Sequence, residues 1–231
     1  MATYLYCVLP ADAPDPRVTG IDGTSLRAIR AGGVTVWVAD VERGPAPDLE
    51  RIRDHDRVVR AAMDAGFTPI PIRFGQVAAN DDDVRAHLAA RDYAPDLERV
   101  RDCVEFGIRV VDPEALEAAP GDTIPDAERA SAATERRGAA FMRTLAARVH
   151  AAERAHARAL DAARALDAAL AECVRERRIE PSDRPPGAVV AHLVQAGDAD
   201  TYAARARAQS HDHPPLRIVV TGPWPPYSFV G

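Results

Sequence analysis

The sequence predicts an α+β protein of two domains, on three observations. Short β-branched and aromatic runs alternate with longer helical patterns along most of the chain. Residues 139–178 contain neither Gly nor Pro and are rich in Ala, Arg, Leu, Glu and Asp, the composition of one long helix. From Cys103 onward the order is strand, long helix, short strand, strand, helix, strand. That is the βαββαβ order of a ferredoxin-like fold with a lengthened first helix. The expected division is an N-terminal α+β domain over residues 1–102 and a modified ferredoxin-like domain over residues 103–231, with its long helix over about residues 130–178.

The run Tyr4-Leu5-Tyr6-Cys7-Val8-Leu9 reads as a strand stopped by Pro10, and Gly32-Gly33 introduces a second strand, Val34 to Ala39. A weaker pairing strand is expected over residues 21–29. Residues 48–65 read as a helix capped by Asp48, with Leu49, Ile52, Val58, Val59, Ala62 and Met63 at helical spacing and Gly66 as the stop. Residues 67–74 read as a strand at an edge or bulge, because Pro69 and Pro71 remove amide donors on one side. A second helix runs from Asp81 or Asp82 towards Arg101 and breaks before Pro95.

Residues 103–111 alternate as a strand, with Val104, Phe106, Ile108 and Val110 against Glu105, Gly107 and Arg109. Residues 114–125, with Pro120, Gly121 and Pro125, read as a loop. The long helix carries an Ala-rich stripe with Phe141, Leu145, Val149, Leu160, Leu166, Leu170 and Val174. Unbroken over forty residues it would extend about 60 Å, overhanging a small domain and leaving its middle for another protein. A short strand near residues 178–183, a strand over 188–194, a helix over 197–208 that buries Tyr202 and a strand over 216–221 complete the pattern.

Hydrophobic residues make up 47% and charged residues 28% of the 231, which excludes a disordered chain. The net charge of −6 argues against a phosphate-tracking nucleic-acid binder. Every basic side chain is Arg. Glu135, Glu153, Asp161 and Asp167 interleave the Arg run of the long helix, which reads as a salt-bridged solvated face without aromatics for base stacking. No apolar stretch is long enough to cross a membrane and no signal peptide is visible, so a cytoplasmic protein is expected. Cys7, Cys103 and Cys173 match no zinc or redox spacing and read as small buried hydrophobes.

Catalytic or metal chemistry finds little support, and no cofactor is expected. Gly20 to Gly23 and Gly32-Gly33 have no nucleotide-binding spacing and are explained by turns. His211-Asp212-His213 forms a close group without a fourth ligand and reads as a solvated turn. His55, between Asp54 and Asp56, lacks an accompanying nucleophile and reads as a helix-surface or packing residue. Asp81-Asp82-Asp83 suits a helix N-terminus. Arg73, followed by Phe74 and Gly75, reads as a guanidinium fixed for a structural salt bridge, with a partner contact as the second reading.

Several segments together resemble one known family. Tyr4-Leu5-Tyr6, His55-Asp56-Arg57-Val58-Val59, Pro69 to Gly75, Val104 to Val110 and Ala191-His192-Leu193-Val194 occur in the expected order. The closing string Thr221-Gly222-Pro223-Trp224-Pro225-Pro226-Tyr227-Ser228-Phe229-Val230 is the most specific. On these residues the chain resembles the gas vesicle accessory proteins of the GvpF/GvpL family. One departure stands at Gly138-Ala139-Ala140-Phe141-Met142, where the family commonly has a small-aromatic-leucine pattern. The resemblance implies a non-enzymatic minor component of gas vesicle assembly that binds the small hydrophobic shell protein and other vesicle accessory proteins, with no nucleic-acid or membrane partner. It also implies two α+β domains, the second a modified ferredoxin fold.

Candidate structural or partner contacts are Arg73, Phe74, Phe141, Leu145, Trp224, Tyr227 and Phe229. Three prolines and three aromatic rings make the closing string a structural clasp first and a partner surface second. The competing expectations are a ferredoxin-like small-ligand or regulatory module with Arg73 in its pocket, and a cytosolic enzyme using His55 or the His211 to His213 turn.

Overall fold

A computed structural model describes residues 1–114, 134–183 and 186–230. It is a mixed α/β structure with two sheets and, among the described residues, five α-helices. The chain divides into two compact units. The first comprises residues 1–106, 193–199 and 222–231, and the second residues 107–192 and 200–221.

The first unit holds an antiparallel sheet built from β1 (Ala2–Pro10), β2 (Leu26–Ala31), β3 (Val34–Val41) and β4 (Ile70–Pro71) in the order β2-β3-β1-β4. The two-residue β5 (Val77–Ala78) also pairs with β1. Gly32 and Gly33 make the β2–β3 turn at φ 58° and 76°, which favours glycine. A Cβ at Gly32 would also stand 2.5 Å from the Leu88 carbonyl oxygen.

A register shift between Leu5 and Cys7 explains how β1 serves both faces of the sheet. Tyr4 and Tyr6 before it, and Cys7 and Leu9 after it, all enter one core cluster, whereas Leu5 and Val8 pack in the other. One extra residue at a bulge exchanges odd and even positions in this way. The first cluster packs against α1 (Leu49–Asp64) through Val58, Val59 and Ala62. Asp48 caps that helix, its carboxylate accepting from the Arg51 amide at 2.8 Å. The second cluster packs against Val84 and Leu88 of α2 (Asp81–Ala90), and Leu97 of α3 (Ala94–Val100) lies beside it.

The break expected before Pro95 falls after Ala90, so the region forms two helices, α2 and α3. Arg91 is extended, and Pro95 stands in the first turn of α3 where its missing amide costs no bond. The strand expected over residues 67–74 shrinks to Ile70–Pro71, and the one expected at residues 21–29 becomes a 3-10 turn at Ile21–Gly23 followed by β2.

The second sheet has the order β7-β8-β6-β9, from β6 (Cys103–Val111), β7 (Glu176–Asp183), β8 (Pro186–Gln195) and β9 (Arg217–Trp224). The strands β6, β8 and β9 each give residues to both units. In the second unit α4 (Thr134–Leu170) follows β6, and α5 (Ala199–Ser210) precedes β9.

The long helix ends at Leu170, not near residue 178. A 3-10 turn at Ala171–Cys173 leads into β7, where strand pairing overrides the helical propensity of the Glu176 to Arg178 segment. At 1.5 Å per residue α4 extends about 55 Å. Ala155, Ala159, Ala163, Leu166 and Leu170 are its buried stripe, whereas Met142 and Val149 are exposed. The loop expected at residues 114–125 lies, from 115 onward, outside the described residues.

Candidate functional site

From Gly222 onward the closing string lies in the first unit, where it is anchored on separate elements. The Arg60 guanidinium of α1 stands over the Trp224 ring at 4.0 Å from its centre, and Asp56 holds Arg60 Nε at 2.6 Å. A cation over an indole face is attracted by the ring quadrupole. Gly222, at φ 121°, brings the chain so close to β6 that a Cβ there would stand 2.8 Å from the Glu105 carbonyl oxygen. The Glu105 carboxylate accepts from the Ser228 amide at 2.7 Å and from its hydroxyl at 2.6 Å. Arg99 of α3 donates to the Phe229 carbonyl.

Phe229 is fully buried, Pro225 and Pro226 are buried, and Trp224 is half-buried, while Tyr227 retains 36% exposure. Arg60, Arg99 and Glu105, which grip the string, were not among the expected contacts.

Behind the sheet, His55 is buried beside Tyr4, Tyr6 and Phe74. Its Nε2 lies 2.8 Å from the Ile72 carbonyl oxygen, which only accepts, so Nε2 carries the proton. The other nitrogen, Nδ1, accepts from the Tyr4 hydroxyl at 2.9 Å, and that oxygen in turn accepts from the Gly75 amide at 3.1 Å. The network is closed. Burial pulls the His55 pKa below its ordinary value, outweighing the Ile72 bond and the nearby Asp56. Burial also raises the Tyr4 phenol to about 12.

The second unit repeats the device. His192 is fully buried, with Nδ1 2.7 Å from the Tyr202 hydroxyl and Nε2 3.1 Å from Asp167 Oδ1. Arg177 holds the other Asp167 oxygen at 3.0 Å. Burial lowers the His192 pKa despite Asp167, whose charge is shared with Arg177. At sequence level His192 stood out only within the Ala191 to Val194 segment of the family resemblance, with no role assigned to it.

The remaining expected residues behave differently. Arg73 is exposed and makes no ion pair or hydrogen bond among the described residues, so the structural salt bridge is not formed. Phe74 is half-buried, its ring edge-on to Tyr4 at 6.1 Å and to His55 at 5.9 Å. Phe141 and Leu145 lie on the α4 backbone, but their side chains are outside the described residues. His211 Nδ1 lies 2.7 Å from the Arg207 carbonyl at the end of α5, and no metal-ligand cluster occurs among the described residues. Cys7 and Cys103 are buried while Cys173 is half-exposed, and none of the three forms a disulfide. No helix among the described residues is long and apolar enough to cross a membrane.

Comparison with known proteins bears on the whole of this arrangement. The chain is 28% identical to gas vesicle protein F of Streptomyces sp. (strain CB03234), covering all of both chains. It is 29% identical to gas vesicle protein L of the same organism, over 99% of this chain and 92% of that one. Gas vesicle protein L2 of Halobacterium salinarum is 28% identical over 98% of this chain and 90% of its own. Among solved structures, GvpF from Anabaena sp. PCC7120 superposes with a TM-score of 0.73 at 18% identity, covering 100% of this chain and 96% of that one. GvpF from Microcystis aeruginosa gives 0.72 at 19%, covering 99% and 98%. These two share the fold. The family model described as gas vesicle synthesis protein GvpL/GvpF matches residues 2–231, and the chain belongs to that family.

Proposed function

We propose that this chain is a non-enzymatic accessory protein of gas vesicle assembly that binds the small hydrophobic shell protein and other vesicle accessory proteins in the cytoplasm. The observation that carries the proposal is the family match over residues 2–231. Two features of the molecule support it.

First, the apolar stripe of α1 overruns its core. His55, Val59 and Ala62 are buried, and one and two turns earlier on the same stripe Ile52 and Leu49 are 44% and 63% exposed. An apolar ledge of this kind suits a partner that itself exposes apolar surface before incorporation. Second, both buried histidines have both ring nitrogens engaged inside the protein, which leaves neither for proton exchange with a substrate.

The second sheet, with elements in βαββαβ order and strand order β7-β8-β6-β9, supports reading the C-terminal part as a modified ferredoxin-like fold of split βαβ type.

Co-expression with the shell protein tests the binding directly. Tagged wild-type chain is expected to retain shell protein on purification, and the double variant Leu49→Asp/Ile52→Asp to lose it at an unchanged melting temperature. A well-folded wild-type chain that retains no vesicle protein overturns the proposal.

A further inference from the structure

The orders of the two sheets end on the strands β2, β4, β7 and β9, and only β9 is left unguarded among the described residues. In the first sheet β2 carries Arg27 and Arg30, both ion-paired, and β4 is two residues long and includes Pro71. In the second, β7 carries Glu176, Arg177, Arg178, Glu180 and Pro181. Charge, proline and shortness are the devices that keep an edge from pairing with another chain. β9 has none of them across Ile218-Val219-Val220-Thr221, a run of four strand-forming β-branched residues. No residue of β9 is buried, and its backbone from Arg217 to Thr221 makes no hydrogen bond outside its own sheet among the described residues.

One face of this edge is basic. Arg217, Val219 and Thr221 alternate onto the exposed side of the sheet, where Val219 is 54% exposed. The Thr221 hydroxyl donates to the Gly107 carbonyl at 3.3 Å, and a Cβ on Gly107 would stand 3.0 Å from that hydroxyl, so Gly107 faces the same side. Two residues on along β6, the exposed Arg109 shares that face. Neither Arg109 nor Arg217 has an ion-pair or hydrogen-bond partner among the described residues. Two unpaired guanidinium groups at an open edge favour a strand that brings a carboxylate. A second copy of this chain brings none. Paired antiparallel about Val219, it would set Arg217 opposite Thr221 and gather the guanidinium groups of both copies on one face.

We infer that the free edge of β9 accepts an extended segment of a partner protein as an added strand, with an aliphatic side chain beside Val219 and a carboxylate across from Arg217. Main-chain hydrogen bonds hold the segment, and the two arginines select its charge. The inference goes beyond the proposed function and holds whichever protein supplies the segment, so a shell protein that fails to co-purify leaves it standing.

Fluorescence anisotropy with the full chain tests it, using a labelled peptide of about nine residues that alternates Val and Thr, with one Glu placed to meet Arg217. This peptide is expected to bind saturably and more than about fivefold tighter than its twin with Lys in that place. Two further twins are N-methylated on alternate sets of amides. The set that faces β9 should abolish binding, and the set that faces away should leave it within about twofold. Arg217→Glu, at an exposed and unpaired position, should reverse the preference for Glu over Lys at an unchanged melting temperature. Equal effects of the two methylated twins, charge-blind binding or absence of saturation overturns the inference. So does saturable binding of a single-stranded oligonucleotide without peptide binding, or a dimer of this chain that Val219→Lys dissolves.

Discussion

Arg60 and Trp224, far apart in the chain, meet as a cation over an indole face at 4.0 Å. Since Asp56 also holds Arg60, the closing string is tied to the exposed side of α1 by a three-residue stack. Trp224→Ala should cost about 2 kcal/mol, combining a half-buried indole with a cation–π contact. Urea unfolding measures it. The double variant with Arg60→Ala should cost less than the sum of the two single changes, because the contact is shared.

Glu105 is the second anchor. Glu105→Ala removes the acceptor for both Ser228 donors and should cost about 2 kcal/mol in the same assay. Glu105→Gln keeps one acceptor oxygen and should cost less. Equal stability of Glu105→Ala and wild type would mean that the string is held elsewhere.

His55→Phe replaces the ring by one of similar shape but leaves the Tyr4 hydroxyl without its acceptor and the Ile72 carbonyl without its donor. A loss of about 3 kcal/mol is expected from two disrupted buried groups. Tyr4→Phe also removes two bonds, leaving His55 Nδ1 and the Gly75 amide unpaired, but Gly75 is exposed and water can replace its acceptor, so the change should cost less.

The histidines also set a pH dependence. Both His55 and His192 have folded pKa values below the ordinary 6.5, so below that pH the unfolded chain binds protons that the folded chain does not. Their stabilising contribution is therefore complete above pH 6.5 and is lost as pH falls through their lower folded values. The melting temperature should drop on acidification from pH 7 to pH 5. His55→Phe should show a shallower drop, with His192 supplying what remains.

Much of this fold is legible in the sequence where local chemistry and tertiary packing agree. Asp48 caps α1 as its spacing indicates, Tyr202 is buried, and the Gly32-Gly33 turn joins two strands. Disagreement arises where pairing decides. The Glu176 to Arg178 segment has helical composition, yet β7 runs through it. β5 is two residues long and carries no period to detect. The clasp shows the same division. Prolines and aromatic rings mark the string itself, but Arg60 and Glu105 lie on distant elements and carry no local mark. Arg73 shows the converse, since a stiffened strand end suggests an ion pair that no carboxylate completes among the described residues.

The central claim is that this chain serves gas vesicle assembly. The direct measurement is electron microscopy of a host carrying a gas vesicle gene cluster from which every member of this family has been removed, with and without this chain restored. The account predicts no intact vesicles without the chain and recovery on restoring it, with recovery impaired for Leu49→Asp/Ile52→Asp. Vesicles in normal number and shape without the chain would contradict it.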